Sequence, residues 1–83
     1  MIVRSIKESD RFKRIFNKLN INMKERIDKQ IKKIINNPEI GKPMRNVRKG
    51  TRELYIKPFR LSYSYFKDED KIILLDLYHK KKQ

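Results

Sequence analysis

GTRELYIKPFRLSYSYFKDEDKIILLDLYHKKK, residues 50–82, contains three runs of apolar and polar side chains separated by Lys57-Pro58 and by Lys67-Asp68-Glu69-Asp70. Side chains on a strand point alternately to opposite faces, so the stretch reads as three consecutive antiparallel strands joined by tight turns. In the middle run Phe59, Leu61, Tyr63 and Tyr65 share one face, and Arg60, Ser62 and Ser64 the other. In the last run Ile73, Leu75 and Leu77 are expected to form the core face, opposite Ile72, Leu74, Asp76, Tyr78 and Lys80. In the first, Leu54 and Ile56 lie opposite Glu53, Tyr55 and Lys57. One side of the expected sheet is therefore core. The other is a half-polar platform with Arg60 near its middle and Lys80 at its end.

Upstream, Ile2–Ile6 reads as a short strand. Ser9 or Asp10 can cap a helix carrying Phe12, Ile15, Phe16 and Leu19 at helical spacing. A second helix is expected to start at Asn22 as N-cap, with Glu25 three residues on as in a capping box. Its apolar stripe is Met23, Ile27, Ile31, Ile34 and Ile35. It stops at Asn36-Asn37-Pro38, because a residue before proline is disfavoured in the helical region. Residues 37–43 form a loop punctuated by two prolines and a glycine, Met44–Lys49 a short strand, and Gly50 permits the turn that follows. The order β-α-α-β-β-β-β predicts a single α+β domain over residues 1–83. It is a twisted, mainly antiparallel sheet with both helices packed on one face.

Composition narrows the function. Eighty-three residues provide one core. The chain has no cysteine, which excludes disulfides and thiolate metal sites. Charges at Arg4, Lys7, Glu8, Asp10 and Arg11 leave no apolar stretch for a signal peptide, and the run Ile72–Leu75 is far too short to span a bilayer. A cytoplasmic protein without a membrane partner is expected. The net charge is +13, from 23 Lys and Arg against 10 Asp and Glu, and so large an uncompensated surplus points to a polyanionic partner. Nucleic acid is the first candidate and an acidic protein the second. Asp68-Glu69-Asp70 falls between two strands, where a solvated hairpin turn is expected and not a magnesium site. No metal and no cofactor are expected.

The candidates for chemistry lie on or near the platform. Arg60 carries a guanidinium whose paired donors match phosphate oxygens. Arg45, Arg48, Lys49 and Arg52 cluster around the loop and turn before it. Tyr55 and Tyr78 share its face and could stack on bases. Glu53 could act as a carboxylate base or as the ion-pair partner of Arg60 or Arg52. His79 is the only histidine; its ordinary pKa of about 6.5 suits acid–base work, yet strand parity puts it on the core side.

The ordered set resembles the RelE/ParE family of toxins over nearly the whole chain. It comprises a proline-bearing loop, RELYI at 52–56, FRLSY at 59–63, a short acidic turn, and an aliphatic strand ending LYHK at 77–80. The resemblance implies the toxin of a type II toxin–antitoxin system, closest to the RelE-like branch. Such a toxin is a metal-independent endoribonuclease that cuts mRNA on the ribosome by attack of the 2′-hydroxyl. In that frame Arg60 binds the scissile phosphate, and Lys80 stands where the family usually carries arginine. Glu53 and His79 complete the catalytic candidates. Arg45, Arg48, Lys49, Arg52, Tyr55, Lys57 and Tyr78 would contact RNA. The family's base-stacking tyrosine beyond the last strand has no counterpart here. The partners implied are an acidic RelB-like antitoxin in a hetero-oligomer, mRNA and the ribosome. ParE-like members share the fold and inhibit DNA gyrase without cleaving RNA; that reading and a non-catalytic, basic RNA- or ribosome-binding module are the alternatives.

Overall fold

The computed structural model describes residues 5–44 and 50–79. The strand expected over Ile2–Ile6 lies partly outside these residues, and the one over Met44–Lys49 almost entirely so. In chain order the elements are β1 (Ser5–Glu8), α1 (Asp10–Asn17), α2 (Ile21–Asn36), β2 (Lys42–Pro43), β3 (Arg52–Ile56), β4 (Phe59–Phe66), a 3₁₀ turn (Lys67–Glu69) and β5 (Lys71–His79). They form a five-stranded sheet in the order β1-β5-β4-β3-β2. The β3–β4 and β4–β5 pairs are antiparallel, as expected; β2, which falls within the segment expected to be a loop, pairs antiparallel with β3, and β1 pairs with β5 in parallel. That parallel pair closes the fold, because it ties the N-terminal strand to the last one. No helix among the described residues is long and apolar enough to cross a membrane.

The helices bury their apolar stripes on one face of the sheet. Phe12 from α1 and Ile27 and Ile34 from α2 meet Leu61, Tyr63, Ile72, Leu74 and Leu77 in one core, all of them essentially inaccessible to solvent. Each fully buried aliphatic or phenyl side chain contributes roughly 1.5–3 kcal/mol. Phe16 stacks on Phe12 at 5.6 Å between ring centres and extends the core towards the surface.

The last strand corrects the expected parity. Ile72 and Leu74 are buried, as is Leu77, whereas Ile73 and Leu75 are only half-buried. The register explains the change: Ser62 lies opposite Asp76 but Tyr63 lies opposite Leu74, so Leu75 is an extra residue on β5. Such a β-bulge shifts every side chain on one side of it to the other face. The bulge is anchored from α1. The Ser9 hydroxyl donates to the Leu75 carbonyl at 2.6 Å, and the Ser9 N–H donates to the Leu74 carbonyl at 2.9 Å. The same hydroxyl oxygen accepts from the Phe12 N–H at 3.0 Å, which makes Ser9 the N-cap of α1.

The second helix starts earlier than expected. Its N-cap is Asn20, whose side chain accepts from the Met23 N–H at 2.8 Å. Asn22 therefore lies inside the first turn, and the capping box with Glu25 is not formed. Asn20→Ala should lower unfolding stability by about 1 kcal/mol, the usual worth of such a cap. Asn22→Ala, at a helical position where alanine is the better former, should cost nothing measurable in the same urea titration. Equal losses for the two variants would contradict this assignment. The turns follow their composition: Gly50 sits at φ +98°, open only to glycine without strain, and Asp70 closes the 3₁₀ turn at φ +49°.

Candidate functional site

The face of β3, β4 and β5 turned away from the helices carries the candidate site. Arg60 on β4 lies directly opposite Tyr55 on β3 and Tyr78 on β5, and Ser62 lies opposite Glu53 and Asp76. Cross-strand neighbours of this kind share a face and touch. The Arg60 guanidinium lies 6.0 Å from the centre of the Tyr55 ring, within cation–π range. Its Nη1 is 3.5 Å from Oε1 of Glu53. The second Glu53 oxygen, Oε2, accepts a hydrogen bond from the Tyr78 hydroxyl.

Burial makes this arrangement consequential. The Glu53 side chain is only 4% exposed, against 33% for Arg60. A carboxylate withdrawn from water needs a countercharge and hydrogen bonds to offset its desolvation; Arg60 supplies a countercharge and Tyr78 a hydrogen bond. Because Glu53 faces Ser62, two residues along β4 from the Arg60–Tyr78 pair, the contact between Tyr78 and Glu53 must pass diagonally over β4. The small Ser62 side chain, itself buried, leaves room for it. Nε of Arg60 is buried and has no hydrogen-bond partner among the described residues. The guanidinium is thus anchored to Glu53 through Nη1, while its Nε is shut off from solvent.

Beside this group opens a groove of about 800 Å³. Glu53, Leu54, Tyr55 and Arg60 line it from the sheet, and Ile40, Lys42, Pro43 and Met44 from the loop and strand β2. Those four loop residues were not among the sequence candidates. The signal that could have found them is the proline- and glycine-bearing segment before β3, whose Lys42 pairs with Glu53.

The loop is tied to the core by two side chains. The Arg52 guanidinium donates from Nη1 to the carbonyls of Glu39 at 3.0 Å and Gly41 at 2.8 Å. The Tyr63 hydroxyl donates to the Pro38 carbonyl at 2.7 Å and accepts from the Gly41 N–H at 2.9 Å. Burial pushes the Tyr63 phenol above the ordinary tyrosine range, an effect the Gly41 N–H and the Arg52 charge partly offset. Arg52 therefore sits on the helix side of β3, opposite Tyr63, with Nη1 engaged by backbone and Nη2 3.7 Å from the Glu39 carboxylate.

The other candidates are more dispersed. His79 lies opposite Phe59, edge-on to its ring at 5.6 Å, on the face away from Arg60. Lys57 is exposed in the β3–β4 turn. Arg45, Arg48, Lys49 and Lys80 lie outside the described residues. Asp68 and Glu69 are exposed in the 3₁₀ turn, where Glu69 stands 3.7 Å from Lys71. Among the described residues no three His, Cys, Asp or Glu side chains converge as a metal site would require. What the face offers chemically is an oriented guanidinium beside an open groove, on a strongly cationic chain, which suits an oxyanion such as a phosphodiester.

The architecture is that of the RelE toxins. A RelBE2 toxin–antitoxin complex from Mycobacterium tuberculosis contains a chain that matches with a TM-score of 0.82 at 19% identity, over 92% of this chain and 96% of that one. An archaeal RelE–RelB complex from Pyrococcus horikoshii matches with 0.79 at 14% identity, over 99% and 100%. The intact RelBE complex from E. coli matches with 0.77 at 13% identity, over 89% and 93%. No curated protein sequence is significantly similar to this chain. A family model described as the ParE toxin of the type II toxin–antitoxin system, parDE, matches residues 7–83. The chain belongs to that family, and is a type II toxin of the RelE/ParE kind.

Proposed function

We propose that this toxin is a metal-independent endoribonuclease that cuts mRNA held on the ribosome, in the cytoplasm. The observation that carries the reading is the Arg60 guanidinium, held by one edge against Glu53 and turned to the open groove. In the reaction the ribose 2′-oxygen bonds to the adjacent phosphorus and the bond from phosphorus to the 5′-oxygen breaks. The 2′-hydroxyl proton leaves to a basic group at the groove, and the departing 5′-oxygen takes up a proton. The products are a 2′,3′-cyclic phosphate and a free 5′-hydroxyl. Negative charge grows on the phosphoryl oxygens in the transition state, where a preorganised cation acts most strongly. Tyr55, half-exposed beside Arg60, supplies a stacking surface for a base. The ribosome, by holding the strand in place, supplies part of the orientation. An acidic antitoxin of the RelB kind is the proposed partner, since it would neutralise the +13 surface in a hetero-oligomer.

The test is to incubate the purified toxin with translating ribosomes and map the new mRNA ends. Cyclic phosphate ends are expected, at a rate that chelation of divalent ions leaves unchanged once ribosome integrity is controlled. A rate restored only by added magnesium, on a substrate that needs none to fold, would count against the mechanism. The match to the ParE family model supports a second reading, a non-enzymatic inhibitor of DNA gyrase. Intact mRNA together with blocked gyrase supercoiling would establish that reading instead.

A further inference from the structure

We infer that Tyr78 and Glu53 are positioning residues that act on the reaction through Arg60, with Glu53 orienting the guanidinium and Tyr78 orienting Glu53. The inference rests on the reading of Arg60 as the phosphate-binding group. Oε2 of Glu53 accepts from the Tyr78 hydroxyl, and Oε1 is ion-paired with Nη1 of Arg60 at 3.5 Å without closing a hydrogen bond to it. A general base needs a free lone pair within roughly 2.6–3.2 Å of the atom whose proton it removes. Glu53 is 4% exposed, lines the groove from strand β3, and accepts from the Tyr78 hydroxyl across β4. Its geometry serves orientation.

The chain of contacts runs across three strands. Tyr78 stands on β5, Glu53 on β3, and Arg60 on β4 between them. Arginine has a long side chain with many accessible rotamers, and on an open face it would sample many positions. The carboxylate below and the Tyr55 ring beside it restrict that freedom. At 3.5 Å the ion pair is longer than a closed charge-assisted bond of about 2.7–2.9 Å. Glu53 thus steers the guanidinium without closing on it, which leaves donors for a substrate phosphate. This preorganisation is the feature that electrostatic catalysis depends on.

Tyr78→Phe, Glu53→Gln and Arg60→Ala, with their pairwise combinations, test the inference in ribosome-dependent, single-turnover cleavage. Loss of either positioning residue should slow cleavage roughly ten- to hundredfold, the scale of a misplaced catalytic group, with ribosome affinity unchanged. In the Arg60→Ala background neither substitution should lower the residual rate further. If each lowers it by the same factor as in the wild type, they act on substrate directly and the inference is overturned. A second readout needs no activity: the ¹H–¹⁵N signal of the Arg60 Nε–H should exchange with water at least several-fold faster in Tyr78→Phe and in Glu53→Gln. Unchanged exchange in both overturns the inference even if RNA is cut. Should the wild type cut no RNA, the nuclease reading fails, and this measurement still decides whether Arg60 is held through Glu53. Tyr78→Phe keeps the ring, so it remains informative if Glu53→Gln does not fold.

Discussion

Arg60→Ala should slow mRNA cleavage about a hundredfold or more, the loss seen when one transition-state charge donor is removed from a preorganised site. Ribosome binding, spread over many lysines and arginines, should change far less. The structure adds a cost that exposure on a strand face alone would not suggest. Without the guanidinium, the buried Glu53 carboxylate keeps the Tyr78 hydroxyl but loses the Arg60 charge 3.5 Å away. Stability should therefore fall by on the order of 1–2 kcal/mol, less than for a fully buried pair because Arg60 is partly solvated. Arg60→Lys separates the two effects: it retains the charge, loses the planar fork, and should recover stability more fully than cleavage. The comparison is of single-turnover rates, ribosome affinity and urea unfolding for both variants. Wild-type cleavage by Arg60→Ala would remove this face from the mechanism.

Gly41→Ala is expected to cost about 3 kcal/mol of unfolding stability, combining overpacking with a strained buried hydrogen bond. An added Cβ would stand 2.6 Å from Oη, 2.8 Å from Cε1 and 3.0 Å from Cζ of Tyr63. The Tyr63 ring cannot retreat, because it is fully buried in the core and its hydroxyl is bound at both Pro38 and Gly41. The loop must move instead, and it carries Ile40 and Lys42 at the groove. Gly50→Ala is the contrasting case. Nothing lies within 4 Å of its Cβ position, so only the positive φ is penalised, at about 1 kcal/mol. Urea titrations of the two variants measure the difference; a Gly41→Ala loss no larger than that of Gly50→Ala would mean the Tyr63 contact yields easily.

How far the site was legible follows from its individual residues. Alternation alone set Arg60, Glu53 and Tyr55 on one face, because β3 and β4 pair without interruption from Arg52 to Ile56. Tyr78 reached that face as well, since it lies beyond the bulge, where Leu77 again points to the core. The face predicted for Ile73 and Leu75 failed on the near side of the bulge. Arg52 looked like one more cation of a nucleic-acid surface, and only the folded loop shows its donors engaged by the Glu39 and Gly41 carbonyls. The groove wall was not legible, because a loop has no periodicity from which to read its direction.

By itself, the sequence determined the two helices, strands β3 to β5 and their order, most of the turns and the core stripe of α2, because these depend on neighbours three, four or two residues away. It also determined the excess of positive charge and the family resemblance that the family match bears out. Tertiary structure decided what depends on distant partners. Ser9, 66 residues from Leu75, caps α1 and pins the bulge with one hydroxyl. The parallel pairing of β1 with β5 joins the two ends of the described chain. Tyr78 and Glu53, 25 residues apart, meet over β4, where Glu53 also pairs with Arg60. A period of two or of 3.6 residues tells which face a side chain takes only while the ladder is regular. Where a bulge, a diagonal contact or a tied loop interrupts it, the position is set by packing against parts of the chain that no local pattern records.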